Sequence, residues 1–67
     1  MTPDDIAKTR QHLRLTRTQL AALMGYGSAN RISEIEHGKS GMGAAAQRLL
    51  IAYAAGYRPA DWPEETT

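Results

Sequence analysis

Apolar positions recur with the roughly 3.6-residue period of an α-helix in four segments of the chain. No stretch alternates apolar and polar residues for long enough to predict a strand, and β-branched residues are scarce. Gly25, Gly38 and Gly56 follow the second, third and fourth segments, where glycine commonly ends a helix. The pattern therefore predicts an all-α fold.

The first two predicted helices begin at residues suited to capping. Thr2 is a good N-cap, and Pro3 fits the first helical position that follows it. Thr16 and Gln19 have the spacing of a capping box, in which each side chain bonds the other residue's backbone N–H. We therefore expect the helices to start at these two threonines.

The third and fourth helices have weaker start signals. The third should begin at Ser28, after the break at residues 25–27. We expect the fourth to run from about Gly41 to Ala55, with Ser40 as a candidate N-cap. The apolar residues expected to face the core are Ile6, Leu13, Leu20, Leu23, Met24, Ile32, Ile35, Met42, Ala46, Leu49, Leu50 and Tyr53.

Two charged residues interrupt these apolar faces. Arg10 lies between Ile6 and Leu13 on the inward stripe of the first helix. Glu36 follows Ile35 on the apolar face of the third helix. Because their charges are opposite, the simplest solution is a buried structural ion pair between the two helices.

Length and composition narrow the classes of function. The 67 residues predict one small domain at 1–58, followed by an acidic tail at 59–67. Cysteine is absent, so disulfides and thiolate sites are excluded. Neither His12 nor His37 has carboxylates at the spacing of a metal site, so we expect no enzyme, no metal and no cofactor. Without a long apolar run or a secretory leader pattern, we expect a cytoplasmic protein with no membrane partner.

Charge is unevenly distributed along the chain. The net charge is +1, but residues 6–60 hold all eight Lys and Arg and only two acids, Glu34 and Glu36, so they carry +6. A body this basic favours a polyanionic partner such as nucleic acid. The alternative is a solvated surface with acidic ends that favour solubility.

The second and third helices, joined by a tight glycine-containing turn, have the arrangement of a helix-turn-helix. Arg17 and Arg31 lie in the first turns of these helices, where a cation opposes the helix dipole. A phosphate bound at each helix start would explain both placements. Otherwise they are ordinary surface arginines.

The outward face of the third helix suits base recognition in the major groove. Asn can pair with adenine, Arg can donate to guanine, and Glu can accept from cytosine. The alternative is a solvated face, on which Glu34 would repel phosphate unless it faces a base or pairs with Arg31. The face comprises Asn30, Glu34 and His37, flanked by Arg31 and Ser33, and Ala29 opens the helix.

Two sequence runs resemble the Cro/C1-type (XRE) helix-turn-helix family of small phage and bacterial regulators. They are LTRTQLAALMG at residues 15–25 and ISEIEHGK at residues 32–39. The resemblance covers roughly residues 5–55 and implies a compact, lambda-repressor-like bundle of four to five helices. It also implies a homodimeric transcriptional repressor that binds an inverted repeat in double-stranded DNA.

The resemblance implies roles for individual residues. Arg17 and Lys39 would contact the DNA backbone, and Ser28 would cap the recognition helix. Asn30 and Glu34 would face bases, together with the alanine that begins the helix. The implied DNA-binding set is Arg17, Ser28, Ala29, Asn30, Arg31, Ser33, Glu34 and Lys39.

One further match and two departures accompany the resemblance. Arg10 and Glu36 match a buried pair that is common in the family. Tyr26 and Gly27 stand where the family usually has one apolar residue, which would shift the start of the third helix by one position. The family's fifth helix is missing or reduced to residues 59–62.

The outer face of the fourth helix carries an apolar strip of Ala44, Ile51 and Ala55, opposite its core face. This strip is the candidate homodimer interface. The alternative is an exposed, alanine-rich helix with one stray isoleucine. A competing hypothesis for the whole chain is an antitoxin or accessory module that binds a protein through Ile51, Tyr57 and Trp62.

Overall fold

The computed structural model describes residues 1–63, which contain four α-helices and no strand. The predicted all-α fold is confirmed. Helices α2 and α3 form the most extensive helix pair, and α1 packs against α3. In the described part of the chain, no helix has the length and apolar character needed to cross a membrane. The helices are α1 (Pro3–His12), α2 (Arg17–Met24), α3 (Ala29–Glu36) and α4 (Ala44–Ala54).

Capping boxes begin the first two helices. The Thr16 hydroxyl accepts the Gln19 backbone N–H at 3.0 Å, and the Gln19 side chain accepts the Thr16 N–H at 2.9 Å. Thr2 and Asp5 form the same reciprocal pair at 3.0 and 3.1 Å. The pKa of the Asp5 carboxyl lies below its ordinary value. The largest cause is the hydrogen bond from the Thr2 backbone N–H, and the bond with the Thr2 hydroxyl is the second. Both predicted N-caps are confirmed.

The predicted start of α4 was wrong. The helix begins three residues later than expected, with Gly43 rather than Ser40 as its N-cap. Glycine is a poor helix former, so Gly41 and Gly43 favour an extended approach to the helix. Met42 therefore lies before α4, although it is buried as predicted. The Gln47 side chain holds this segment by donating to the Met42 carbonyl at 2.8 Å.

The hydrophobic core lies where the four helices meet. The side chains of Leu20, Ile32, Ile35 and Leu50 are almost completely removed from solvent. Every apolar residue predicted to face the core is either buried or packs partly exposed against it. The buried set is Ile6, Leu15, Leu20, Ala21, Ile32, Ile35, Met42, Leu50 and Tyr53.

The described segment after α4, residues 55–63, folds back on the core without forming a helix. The Trp62 ring meets the Tyr53 ring edge to face, with centroids 5.0 Å apart. The Arg58 guanidinium lies 4.2 Å from the centre of the Trp62 ring and donates to the Tyr53 carbonyl at 2.8 Å. Residues 59–62, to which the fifth helix was expected to be reduced if it was not missing, form a turn in which the Trp62 N–H bonds the Pro59 carbonyl. Residues 64–67, the end of the predicted acidic tail, lie outside the described residues.

Candidate nucleic-acid interface

A short turn sets the position of α3 relative to α2. Gly25 takes the left-handed conformation with φ of +78°, which costs glycine far less than other residues. The N–H of Tyr26 then bonds the Ala21 carbonyl at 2.9 Å, and the Gly25 N–H bonds the Ala22 carbonyl at 3.2 Å. These bonds close the end of α2 and direct the chain into α3 at Ala29.

The predicted base-reading face of α3 is open to solvent. Asn30, Arg31 and Glu34 are exposed, whereas Ala29 and Ser33 are half-buried. Lys39 is also exposed, just after the helix. The structure thus places the predicted residues of α3 on or beside one accessible surface. The contacts of these residues with DNA stay a prediction.

Two hydrogen-bonded pairs organise the C-terminal end of this face. His37 Nδ1 lies 2.7 Å from the Ser33 carbonyl, and because a carbonyl only accepts, Nδ1 carries the proton of this bond. The Ser40 hydroxyl donates to Glu34 Oε1 at 3.5 Å. Among the described residues, the ion pairs do not include one between Glu34 and Arg31. The charge of Glu34 is therefore not neutralised by the arginine on its own helix.

A three-residue ion cluster joins α1, α2 and α3. Glu36 accepts Arg10 Nε at 2.6 Å, which confirms the predicted pair, and its side chain is only 3% exposed. Arg10 also donates to the Leu15 carbonyl at 2.9 Å. Arg17 Nε reaches the same carboxylate at 2.9 Å. The sequence reasoning missed this third member because Arg17 and Glu36 are joined only through the packing of α2 against α3.

The protonation of Glu36 reflects two opposing effects. Burial raises the pKa of its carboxyl, but hydrogen bonds from Arg10 and Arg17 and their positive charges lower it by more. The pKa of Glu36 therefore lies below its ordinary value. The carboxylate stays ionised and holds Arg17, which is 45% exposed, at the first turn of α2.

Ser28 does not cap α3 with its side chain, contrary to the expectation. It occupies the N-cap position with extended backbone angles, but its hydroxyl accepts no capping hydrogen bond. The Arg31 N–H bonds the Ser28 carbonyl at 3.2 Å instead. The backbone thus provides the partner that a serine hydroxyl usually supplies at a helix start.

Sequence reasoning also missed a contact across the turn. The Arg31 guanidinium lies over the Tyr26 ring, 5.5 Å from its centre. Tyr26 is half-buried and packs against the core, whereas Arg31 is exposed. Tyr26 and Arg31 are five residues apart, and a turn separates them. Because this is not a helical spacing, no periodicity in the sequence indicates their contact.

The apolar strip on α4 is exposed, as its predicted position requires. Ile51 is 53% exposed, and Ala44 and Ala55 are both open to solvent. Tyr57 is also 55% exposed, with its ring stacked on Tyr53 at a centroid distance of 6.0 Å. The Trp62 side chain is less exposed than those of Ile51 and Tyr57, because it packs on Tyr53 beneath Arg58.

Comparison with known proteins gave no relative on which to base a function. The chain matched no family model, no curated protein and no solved structure. The resemblance to the Cro/C1-type family therefore rests on the sequence runs already quoted.

Proposed function

We propose that this chain is a sequence-specific DNA-binding transcriptional regulator that acts as a homodimeric repressor. The observation that supports this most is the exposed polar face of α3. The opposite side of this helix packs against α2. An α-helix with its side chains is about 10–12 Å in diameter, which fits a major groove about 12 Å wide. Residues 29–36 could therefore lie in the groove with Asn30 and Glu34 toward base edges.

Backbone contacts would come from cations on either side of α3. Arg17 is a suitable phosphate ligand because its bond to Glu36 uses Nε and its side chain remains 45% exposed. Lys39 is exposed beyond the other end of α3. In this proposal, Arg17 and Lys39 position the protein on the duplex while α3 supplies the specificity.

The proposed dimer would form through the strip on α4 and bind an inverted repeat. Half-sites about 34–36 Å apart would place the two recognition helices in successive major grooves. Occupation of a promoter would then exclude polymerase. Control of its own operon, in a phage or other mobile element, is the role we propose for such a regulator in the cytoplasm.

The first test is a salt titration of binding to the DNA upstream of its own coding sequence, against scrambled DNA of equal length. A protein that contacts about 6–10 phosphates should lose about 10³- to 10⁵-fold in affinity between about 50 and 200 mM salt. A steep slope with preference for the upstream DNA is the expected result. Weak binding without preference would refute the proposal.

Paired variants test the assigned roles. Asn30→Ala should relax base preference at one position of each half-site. Lys39→Ala should weaken binding to all sequences and reduce the salt slope by about one. Lys8→Ala is the matched control, because it removes the same charge from an exposed lysine on α1, where Lys8 pairs with Asp4 of its own helix. If Lys39→Ala and Lys8→Ala behave alike, the assignment of Lys39 is wrong.

A second candidate function is a protein-binding module, such as an antitoxin or accessory subunit. It is favoured by two large apolar side chains left exposed, Ile51 at 53% and Tyr57 at 55%. An interface built on these residues would depend weakly on salt, because apolar contact releases no condensed counterions. The same salt titration, performed with a copurifying protein partner, separates the two candidates.

A further inference from the structure

The contact between Tyr26 and Arg31 joins a packed aromatic side chain to an exposed cationic one. The Tyr26 N–H bonds the Ala21 carbonyl at 2.9 Å, and the ring packs against the core. Arg31 extends from the third residue of α3 and is exposed. Its guanidinium lies 5.5 Å from the ring centre, within the range of about 6 Å for an attraction between a cation and an aromatic face.

A cation–π contact of this kind limits the motion of an arginine and leaves its hydrogen-bond donors available. The attraction acts between the positive charge of the guanidinium and the face of the ring, so it requires no hydrogen bond from the guanidinium N–H groups. A free arginine must lose much of its rotamer freedom on binding a ligand. An arginine already held by an aromatic ring loses less of that freedom and therefore binds more tightly.

We propose that Tyr26 is a positioning residue that holds Arg31 as an ordered donor fork for a pair of acceptor atoms on DNA. This inference rests on the proposed function and adds a specific residue outside the face of α3. The shared ligand chemistry is two adjacent oxygen or nitrogen acceptors, which either a guanine edge or a phosphate presents. Tyr26 contributes through the position of Arg31 and makes no contact with DNA itself.

The test is a double-mutant cycle measured by DNA binding. Tyr26→Leu removes the aromatic face and keeps an apolar side chain, whereas Tyr26→Phe keeps the face and removes only the hydroxyl. Tyr26→Leu should weaken binding to the upstream duplex about two- to fivefold, and Tyr26→Phe should bind like the original protein. In an Arg31→Ala background, Tyr26→Leu should have no further effect.

One control and one further measurement complete the cycle. Urea unfolding of each variant shows that binding is measured on folded protein, so a loss of packing at Tyr26 is not mistaken for a loss of positioning. The effect of Arg31→Ala then identifies the acceptors. A salt slope reduced by about one indicates a phosphate, whereas an unchanged slope with lost preference at one guanine indicates a base.

Three results would overturn the inference while leaving the proposed function intact. Tyr26→Leu could bind as tightly as the original protein, or it could weaken binding equally with and without Arg31. Tyr26→Phe could also weaken binding as much as Tyr26→Leu, which would assign a direct contact to the hydroxyl. If the original protein shows no salt-dependent binding to the upstream duplex, the proposed function and this inference both fail.

Discussion

Replacement of Glu36 by glutamine should remove a large part of the stability of this domain. Its carboxylate accepts hydrogen bonds from both Arg10 and Arg17, and the Arg10 side chain is only 11% exposed. Glutamine has the same shape but no charge, so the guanidinium of Arg10 would be left buried without a counter-ion. Loss of one partner from a buried ion pair costs about 3–5 kcal/mol.

The two arginines should contribute unequally to this loss. Arg17 is 45% exposed, so water screens its interaction, and its share should be at most about 1 kcal/mol. The expected loss for Glu36→Gln is therefore about 3–5 kcal/mol and arises mainly from Arg10. At about 0.05–0.15 kcal/mol per residue, the 67-residue chain has roughly 3–10 kcal/mol in total. The variant should thus lose at least about a third of this stability, and it should unfold if the total lies at the low end of the range.

The assay is urea unfolding, followed by far-UV circular dichroism and by the fluorescence of Trp62, the single tryptophan. Glu34→Gln is the matched control, since it makes the same chemical change on the exposed face of the same helix. It should alter the free energy of unfolding by no more than about 0.5 kcal/mol. A loss below about 1 kcal/mol for Glu36→Gln, or one equal to that of Glu34→Gln, would refute the reasoning.

The original protein and the Glu36→Gln variant also allow a test of pH dependence. The pKa of Glu36 is lowered in the folded state, so its contribution to stability is present above the ordinary pKa of 4.5. That contribution is lost as the pH falls below this value and through the folded-state pKa, because the folded state must then protonate a paired carboxylate. The difference in stability between the original protein and Glu36→Gln should therefore narrow on acidification. A difference that is constant across this range would contradict the assigned charge state.

Three further predictions concern the helix ends and the strip on α4. Thr16→Ala should lower stability by about 1 kcal/mol because the Thr16 hydroxyl caps the Gln19 N–H, whereas Ser28→Ala should be nearly neutral because the Ser28 hydroxyl makes no capping bond. Equal losses in urea unfolding would contradict this difference. Arg14 is the only non-glycine residue with positive φ in the described chain, at 61°, so Arg14→Gly should raise stability by about 0.5–1 kcal/mol. A lower urea midpoint for this variant would show that the side chain contributes more than the strained backbone costs. Ile51→Asp should convert the proposed dimer to monomer in light scattering while its circular dichroism stays helical, since Ile51 is 53% exposed and lies outside the core, and a dimer that persists would exclude this strip as the interface.

Local signals in the sequence predicted the helices and much of the core. Helical periodicity identified the buried apolar residues, because a residue's position on its own helix decides which side faces inward. The capping box at Thr16 was predictable because its partners are three residues apart. The pair Arg10–Glu36 was also predictable, since two opposite charges on two apolar faces need each other as partners.

Only the tertiary structure decided the contacts that join different elements at irregular spacing. The packing of α2 on α3 brings Arg17 to Glu36, and the turn between them brings Tyr26 under Arg31. The backbone geometry at Ser28 satisfies the start of α3 without its hydroxyl. The sequence therefore determined which surfaces of each helix are apolar or charged, since that follows from local geometry. Which of those charged groups are held, and which stay accessible, depends on how distant segments approach one another.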